Sequence, residues 1–320
     1  MPTLLPSDPL NPENHRSSVA LARASLFKFV VLLIGVFVLG ACMLAYLARD
    51  LDRVEETESA FYTRKAVHSL EKSLSATIKD YAFWGDSYKN LHLHVDTDWA
   101  FVRQNIGPTL YSDFGFEGLF VVNDADSTVY AVTEGNLTTV DAAQWLGASM
   151  SEILARAREG AEKETPTTAY VKVNGVPALV AAAAITPGTD PTVVPDDRTP
   201  SVLMFVTLLT DGKLAALGRD YGVDALHVAA RDEWEQASVL ALGQDGEAGV
   251  LGWTPPKPGE RLLMLGLPWV CVAALLVCLM AWAILRRTTA SARSLDDSYA
   301  SLQRSQLALA TSEAMFRDVV

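Results

Sequence analysis

Two long apolar runs interrupt the mixed pattern of hydrophobic and polar positions in this chain. Phe29 to Leu47 is nineteen residues without a charge, and Leu262 to Leu285 is twenty-four. A helix that crosses the apolar core of a bilayer needs about 20 such residues. The pattern therefore predicts transmembrane helices at residues 26–48 and 262–285. The first run is too long for a cleaved signal peptide, and a polar tail, residues 1–25, precedes it.

Between the two runs, the pattern predicts a long entry helix and then an antiparallel sheet with interposed helices, which is the α+β class. The entry helix is predicted over residues 51–93, which contain no proline. Its apolar stripe is expected to pack on the sheet (Phe61, Val67, Leu70, Leu74, Ile78, Tyr81). Further helices are predicted at residues 98–110, with an interruption at Gly107-Pro108, and at residues 142–159 and 211–221. Strands are predicted at residues 116–123, 128–133, 168–173, 176–185, 201–209, 226–230 and 238–242. Asn174-Gly175 predicts a tight hairpin turn, and residues 187–200 form a proline-rich loop.

The distribution of Lys and Arg predicts how the two helices cross the membrane. Six basic residues lie near the outer ends of the two apolar runs (Arg16, Arg23, Lys28, Arg286, Arg287, Arg293). The inner flanks carry Arg49, Arg53 and Arg261 among acidic residues. Cytoplasmic flanks are enriched in Lys and Arg. We therefore expect both termini in the cytoplasm and residues 49–260 on the exported side, which for a bacterial inner-membrane protein is the periplasm.

The charges separate along the same boundaries. Residues 50–260 hold 16 Lys and Arg against 32 Asp and Glu, a net charge of −16. The rest of the 320-residue chain holds 10 basic and 6 acidic residues, a net of +4, so that the total is −12. An acidic domain repels nucleic acid and anionic headgroups, so we expect no nucleic-acid partner. The three cysteines lie in the predicted spans, so no disulfide is expected in the domain.

The segment from Lys79 to Asn90, KDYAFWGDSYKN, carries the most chemical information and is called the motif segment below. On a continuous helix, Tyr81, Trp84 and Tyr88 would form one stripe, with the Asp80 carboxylate beside it. Such a face can bind a cation or a small polar ligand. The alternative is a helix that packs its aromatic side chains into the sheet. The candidate ligand-binding residues are Asp80, Tyr81, Trp84, Asp86 and Tyr88.

A second group of polar residues follows the motif segment. His92, His94, Asp96 and Asp98 alternate along the chain and would converge as metal ligands on a strand. An exposed polar strand or loop explains the same spacing more simply. We therefore expect neither a metal site nor a cofactor.

The motif segment resembles the CHASE4 family of extracellular sensor domains through Asp80-Tyr81-Ala82-x-Trp84-x-Asp86-x-Tyr88. Later segments agree with this resemblance, which covers about residues 60–230 (FVVND at 120–124, VPALV at 176–180, AITP at 184–187, GKLAALG at 212–218). Gly85 stands where such motifs often carry a second acidic residue, which argues against a doubly acidic site. The resemblance implies a PAS-like periplasmic sensor whose ligand is usually undefined.

Residues 286–320 are predicted to form a cytoplasmic signalling helix. Its apolar positions recur every seven residues (Leu295, Leu302, Leu309, Phe316), and the second seam position is polar. This pattern predicts a weak parallel coiled coil whose register can shift, or alternatively a solvated helix. The last residues, 305–320, look like the start of a cytoplasmic PAS domain. We therefore expect the chain to be the amino-terminal part of a longer receptor, or a truncated product.

The leading interpretation is a homodimeric receptor in the lipid bilayer, whose periplasmic domain binds an unknown small molecule. The resemblance implies an output that is most often cyclic-di-GMP turnover, by GGDEF and EAL domains, and less often a histidine kinase. No catalytic motif is present, so we do not expect an enzyme. Two other classes stay open: a membrane-tethered enzyme, which would need a nucleophile with its base or a convergent metal site, and a periplasmic domain that binds another protein.

Overall fold

The computed structural model describes the backbone of residues 18–235 and 238–317, and leaves out the side chains of residues 18–26 and of many positions after 288. The chain divides into two compact units. Arg53–Pro256 form one unit, which holds the sheets and the short helices. The other unit contains the segments that end at Asp52 and begin at Lys257, and its described parts are the two long apolar helices.

The elements follow one another in the order helix, sheet, helix. The helices are α1 (Ser18–Ala82), α2 (Gly85–Leu91), α3 (Pro108–Phe114), α4 (Ala142–Leu146), α5 (Ser149–Glu159), α6 (Asp211–Tyr221) and α7 (Pro258–Arg317). The strands are β1 (Gly118–Val122), β2 (Thr128–Thr133), β3 (Asn136–Thr138), β4 (Thr167–Val173), β5 (Val176–Ala184), β6 (Val202–Leu208), β7 (His227–Val228), β8 (Val239–Leu242) and β9 (Gly249–Gly252). Short helical turns lie at Asp98–Val102, Ala161–Lys163, Arg231–Glu233 and Gln244–Gly246.

The strands form two sheets. The larger sheet has the strand order β3-β2-β1-β6-β5-β4, and the smaller has the order β7-β9-β8. Every neighbouring pair in both sheets is antiparallel. The predicted α+β class is therefore confirmed, whereas the PAS-like identity of the domain stays a prediction.

The larger sheet buries both of its faces, because successive side chains of a strand point to opposite sides. One face places Leu179 in an apolar cluster with Ile78 of α1. The other face places Val180 in a cluster with Ile153 of α5. A third cluster around Trp253 joins α6 and the smaller sheet to α1. The unit of residues 53–256 thus has its own hydrophobic core.

The strand pattern and the turn chemistry predict most of the sheet correctly. The β4–β5 hairpin turns at Asn174-Gly175, where both residues have positive φ angles of 48° and 87°, as the tight turn requires. Helix α6 has the predicted bounds, Asp211 to Tyr221. Strands β3 and β9 are absent from the prediction, since β3 has three residues and β9 is bounded by glycines.

Two shorter predicted helices are wrong in detail. The helix predicted over residues 142–159 divides at Gly147, whose φ of 55° is unfavourable for other residues. The helix predicted over residues 98–110 is interrupted at Gly107-Pro108, as predicted, but its first part is a π-helical turn and its second part, α3, extends to Phe114. Helix α3 begins at Pro108, because proline lacks an N–H group that would have no partner in the first turn.

The apolar stripe of α1 packs on the domain core as predicted, with one exception. Leu74 and Ile78 are buried, and Val67, Leu70 and Tyr81 are partly buried against the core clusters. Phe61 is 60% exposed and does not share that contact. The stripe therefore begins later than the sequence pattern indicates.

The helical unit contains two helices that are long and apolar enough to cross a membrane, within Phe27–Ala82 and Pro258–Thr288. Their large apolar side chains face outward; Leu32 is 66% exposed and Trp269 is 75% exposed. A core helix of a soluble protein would bury such side chains. The two predicted spans are consistent with these helices.

The two apolar helices approach each other closely at one point. The Gly259 N–H donates to the Asp52 carboxylate at 2.7 Å. A Cβ atom at Gly259 would overlap the carbonyl oxygen of Ala48, which is fully buried. Only glycine allows this backbone contact.

The predicted seam of the signalling helix lies mostly outside the described side chains. Helix α7 continues to Arg317, and Leu302 is 59% exposed. The side chains of Leu295, Leu309 and Phe316 lie outside the described residues. The coiled coil stays a prediction.

Candidate functional site

Helix α1 ends inside the motif segment, at Ala82, well before its predicted end. Phe83 forms a parallel bridge with Thr186, and Trp84 is extended, with φ −142° and ψ 131°. The Ala82 carbonyl, which loses its helical partner at the break, accepts a hydrogen bond from the Thr186 N–H at 3.0 Å. Helix α2 then begins at Gly85. The end of β5 therefore replaces the helical hydrogen bonding at this point.

The proline-rich loop, residues 187–200, crosses this break and is called the strap loop below. Gly188 has a φ of 62°, and a Cβ atom there would overlap the Phe83 carbonyl oxygen. A Cβ atom at Gly85 would lie 2.7 Å from the Asp190 Cβ and would overlap its carboxylate. Both glycines are thus required for close packing. The Asp190 carboxylate occupies the space that an acidic side chain at position 85 would need.

The strap loop is joined to α2 by a tyrosine, a histidine and an aspartate. The Tyr88 hydroxyl accepts a hydrogen bond from the Asp196 N–H at 2.9 Å. The ring of Tyr88 stacks on His92 with centroids 4.5 Å apart. His92 Nε2 lies 3.2 Å from Asp196 Oδ1. The three side chains therefore hold the loop through both its backbone and a carboxylate.

The far end of the strap loop is attached to the same histidine. The Ser201 N–H donates to His92 Nδ1 at 3.3 Å, and the Leu93 N–H donates to Ser201 Oγ at 3.0 Å. Because Nδ1 accepts a hydrogen bond, the ring proton lies on Nε2 and faces Asp196. His92 is buried, which contradicts the prediction of an exposed polar loop at this position.

The predicted aromatic stripe on one continuous helix is wrong, because the helix breaks between its members. Each aromatic ring packs against a different partner: Tyr81 against Phe205 at 5.7 Å, Trp84 against Trp99 at 5.5 Å, and Tyr88 against His92. Asp80 is exposed and Trp84 is 38% exposed. Asp86 is half-buried and lies 3.5 Å from Lys89. The structure thus brings the five residues to one region, without the single face that the sequence predicts.

Asp190 and Asp196 of the strap loop are held in their charged forms. Hydrogen bonds from the Thr192 hydroxyl and N–H, with Lys89 nearby, lower the pKa of Asp190. Partial burial opposes ionisation of Asp196, but hydrogen bonds from the Arg198 N–H and His92 outweigh it and lower its pKa. Burial raises the pKa of Tyr88. The loop therefore presents two anionic groups to α2.

The four alternating His and Asp residues do not converge. His92 binds the strap loop, whereas Asp98 pairs with Arg103 at 2.9 Å and Asp96 accepts from the Trp99 N–H. Within residues 18–235 and 238–317, no group of three His, Cys, Asp or Glu residues could hold a metal ion.

Two sets of contacts in the domain have no clear signal in the sequence. The sequence of the strap loop is that of a polar linker. Its contacts join residues about a hundred positions apart; His92 and Asp196, for example, are separated by 104 positions. The GKLAALG segment has a structural use: Lys213 Nζ donates to the Glu117 carboxylate and to Thr207 Oγ1, each at 2.8 Å. Glu117 also accepts from the Leu208 N–H at 2.8 Å. This cluster attaches α6 to the sheet.

Comparison with known proteins supports the resemblance seen in the sequence. The family model described as "CHASE4 domain" matches residues 66–229, just over half of the chain. No curated protein matches the chain. The matched region includes the motif segment, the strap loop and both ends of the Lys213–Glu117 cluster. The chain belongs to the CHASE4 domain family of extracellular sensor domains.

Proposed function

We propose that the chain is the sensory and membrane-spanning part of an inner-membrane receptor. The observation that carries this proposal is a CHASE4 domain at residues 66–229 bounded by two helices that could cross a membrane. The basic outer flanks support cytoplasmic termini, and the net charge of −16 over residues 50–260 supports a solvated periplasmic domain. The output that we favour is cyclic-di-GMP turnover in a homodimer.

The proposed ligand site is the motif segment together with the strap loop. Asp80, Trp84 and Asp86 offer accessible carboxylates and an indole face. Tyr81 and Tyr88 connect that surface to the sheet and to the strap loop. A small cation or polar ligand that binds there would stabilise one arrangement of the strap loop over another. Only such a difference in affinity can shift a signalling equilibrium.

The route from this site to the membrane would be α1. This helix begins at Ser18, contains the first apolar run, and ends at Ala82 in the motif segment. A change in the hydrogen bond between Ala82 and Thr186 would alter the end of the same helix. The proposal is thus a displacement of α1 that is controlled by the strap loop.

Ligand binding is tested by thermal unfolding of the full chain in lipid nanodiscs against a panel of small cations and polar metabolites. A ligand at a hundred times its Kd should raise Tm by about 5–10 °C. The shift should be lost in Trp84→Ala and kept in Trp234→Ala, since the two indoles are 38% and 40% exposed. An equal shift in both variants would place the ligand elsewhere. Stabilisation by periplasmic proteins alone would favour the protein-interaction alternative.

The orientation is tested by cysteine labelling in intact cells. Val194 is 85% exposed in the strap loop, and Ser298 is exposed in α7. A membrane-impermeant maleimide should label Val194→Cys before lysis and Ser298→Cys only after lysis. Labelling of Ser298→Cys in intact cells would refute the proposed topology. The three native cysteines lie in the apolar helices and serve as the background.

A further inference from the structure

The free edge of β4 opens into a polar cleft. The cleft has a volume of about 360 Å³, which is within the usual range for small-molecule sites. Its walls are one side of α5, the strand edge, and the turn between β8 and β9 (Ser149, Glu152, Ile153, Arg156; Thr168, Ala169, Tyr170; Gly243, Gln244, Glu247). None of these residues belongs to the motif segment or the strap loop.

The register of the β4–β5 hairpin shows which backbone groups face the cleft. Lys172 pairs with Pro177, and proline has no N–H to donate to the ladder. In an antiparallel pair, hydrogen-bonded and non-hydrogen-bonded positions alternate. Lys172 is therefore at a non-hydrogen-bonded position. Thr168 and Tyr170 lie four and two residues before it, so they are at positions of the same kind, and their N–H and C=O groups point to the free edge. Ala169, in between, forms the ladder bonds with β5.

These outward-facing groups have no partner within the described residues. Neither the N–H nor the C=O of Thr168 or Tyr170 makes a hydrogen bond to a turn, loop or side chain there. A backbone donor or acceptor that is removed from water needs a partner. Exposed strand edges commonly carry a charged side chain that prevents pairing. Here the exposed Lys172 lies beside the hairpin turn, whereas Thr168 and Tyr170 line the half-open cleft.

The charges of the cleft suit a molecule that carries both signs. The Arg156 guanidinium makes one loose ion pair among the described residues, to Glu152 at 3.7 Å. Guanidinium groups bind carboxylates in a planar, bidentate geometry. Glu247, from the turn between β8 and β9, adds an exposed carboxylate to the lining. A ligand carboxylate and a ligand ammonium would each find a partner of opposite charge.

We propose that this cleft binds a short peptide with free termini, in extended conformation. Its backbone would pair with Thr168 and Tyr170 as an added strand, its carboxylate would bind Arg156, and its ammonium would face Glu247. A peptide backbone matches the alternating donors and acceptors of the edge, which a simple cation or anion does not. This site lies outside the proposed sensor site, and binding to it is measurable without any signalling output.

The probe is trialanine, tested by calorimetry on the full chain in nanodiscs. The matched control probe is trialanine methylated at both amide nitrogens, which keeps the charges and removes the backbone donors. Loss of the edge hydrogen bonds should weaken binding about tenfold or more. Equal binding of both probes would overturn the proposal, as would the absence of binding by trialanine.

Three variants test the strand edge, the register and the charge separately. Thr168→Pro removes the outward N–H without removing a ladder bond, and should weaken trialanine about tenfold. Ala169→Pro removes a ladder bond and should instead lower Tm, which checks the assigned register. If Thr168→Pro does not fold, Arg156→Gln decides: it should weaken trialanine about tenfold but leave the C-terminal amide of trialanine unchanged.

Arg219→Gln is the control for loss of an exposed arginine outside the cleft and should bind trialanine as the wild type does. Unchanged binding in Arg156→Gln, or in a folded Thr168→Pro, would overturn the proposal. Binding only by a long unfolded polypeptide, with none by trialanine, would show that the edge captures a protein strand and would also overturn it.

Discussion

The motif segment and the β4 cleft differ in what fills them. The motif segment is partly covered by the protein's own strap loop, which contacts Tyr88, Gly85 and the adjoining His92. The cleft is lined by backbone groups of Thr168 and Tyr170 that have no partner within the described residues. The motif segment has a distinctive sequence and is partly covered by the strap loop, whereas the cleft has unpaired backbone groups and an ordinary sequence.

This difference shows what a sequence motif can and cannot reveal. A motif arises where particular side chains are needed, and an internal contact needs them as much as a ligand does. A strand edge offers N–H and C=O groups that nearly every residue possesses. A site built from such groups therefore leaves little trace in the sequence, and only the strand register identifies it.

The largest expected effect tests how tightly the strap loop packs on the break in α1. Gly188→Ala adds a Cβ atom against the Phe83 carbonyl and places alanine at a φ of 62°. We expect a loss of about 3 kcal/mol in the free energy of unfolding, from urea denaturation. Gly175→Ala is the control, because its φ is 87° and nothing lies within 4 Å. It should cost about 1 kcal/mol; equal losses would mean that the loop is not closely packed.

The second effect tests the histidine that holds both ends of the strap loop. His92→Ala leaves the Ser201 N–H and the Asp196 carboxylate without this partner, and should cost about 2 kcal/mol. Trypsin should then cut faster after Arg198. The control is His94→Ala, since His94 is exposed and its loss should change stability by less than about 0.5 kcal/mol. Unchanged cleavage in His92→Ala would contradict the assigned role.

A smaller effect compares two buried tyrosines on the same face of the sheet. The Tyr130 hydroxyl donates to the Ile106 carbonyl, whereas the Tyr170 hydroxyl is buried near the Glu71 carboxylate and makes no hydrogen bond of standard geometry among the described residues. Tyr130→Phe should cost about 1 kcal/mol, and Tyr170→Phe should be neutral or stabilising by up to about 1 kcal/mol. Urea denaturation of the two variants measures the difference. A clear loss in Tyr170→Phe would reveal a partner for its hydroxyl.

The smallest effects are on the pH dependence of stability, and they differ in sign between His227 and the two carboxylates of the strap loop. His227 lies in β7, which pairs with β9 beside the cleft turn; hydrogen bonds to the Ala225 carbonyl and to Glu233 raise its pKa above 6.5. The contribution of His227 to the free energy of unfolding is complete below about pH 6.5 and is lost as the pH rises through the raised pKa. Asp190 and Asp196 have lowered pKa values, so their contribution is lost as pH falls through those values, below about 3.8.

Unfolding free energies between pH 6 and pH 9 test the histidine. His227→Gln should remove the alkaline decline, which is below about 1 kcal/mol because the pair is partly exposed. His94→Gln should keep it. An alkaline decline that persists in His227→Gln would assign the titration to another group.

Much of the fold follows from patterns that act over a few residues. The alternation of apolar residues in β5 and β6, and the Asn174-Gly175 turn, require only local geometry. The five candidate residues lie within nine positions of the chain and are therefore neighbours in any fold. Their arrangement was not predictable, because the end of α1 depends on Thr186, which lies about a hundred positions along the chain.

By itself, the sequence determined the two apolar helices, the acidic domain between them, the α+β class and the family. Each of these depends on the composition or the period of a continuous stretch, and such properties do not require knowledge of distant contacts. Only the tertiary structure decided where α1 breaks, how the strap loop occupies the motif segment, and which edge of the sheet stays open. These features depend on which backbone groups find partners, because hydrogen bonding is completed between segments that are remote in the chain.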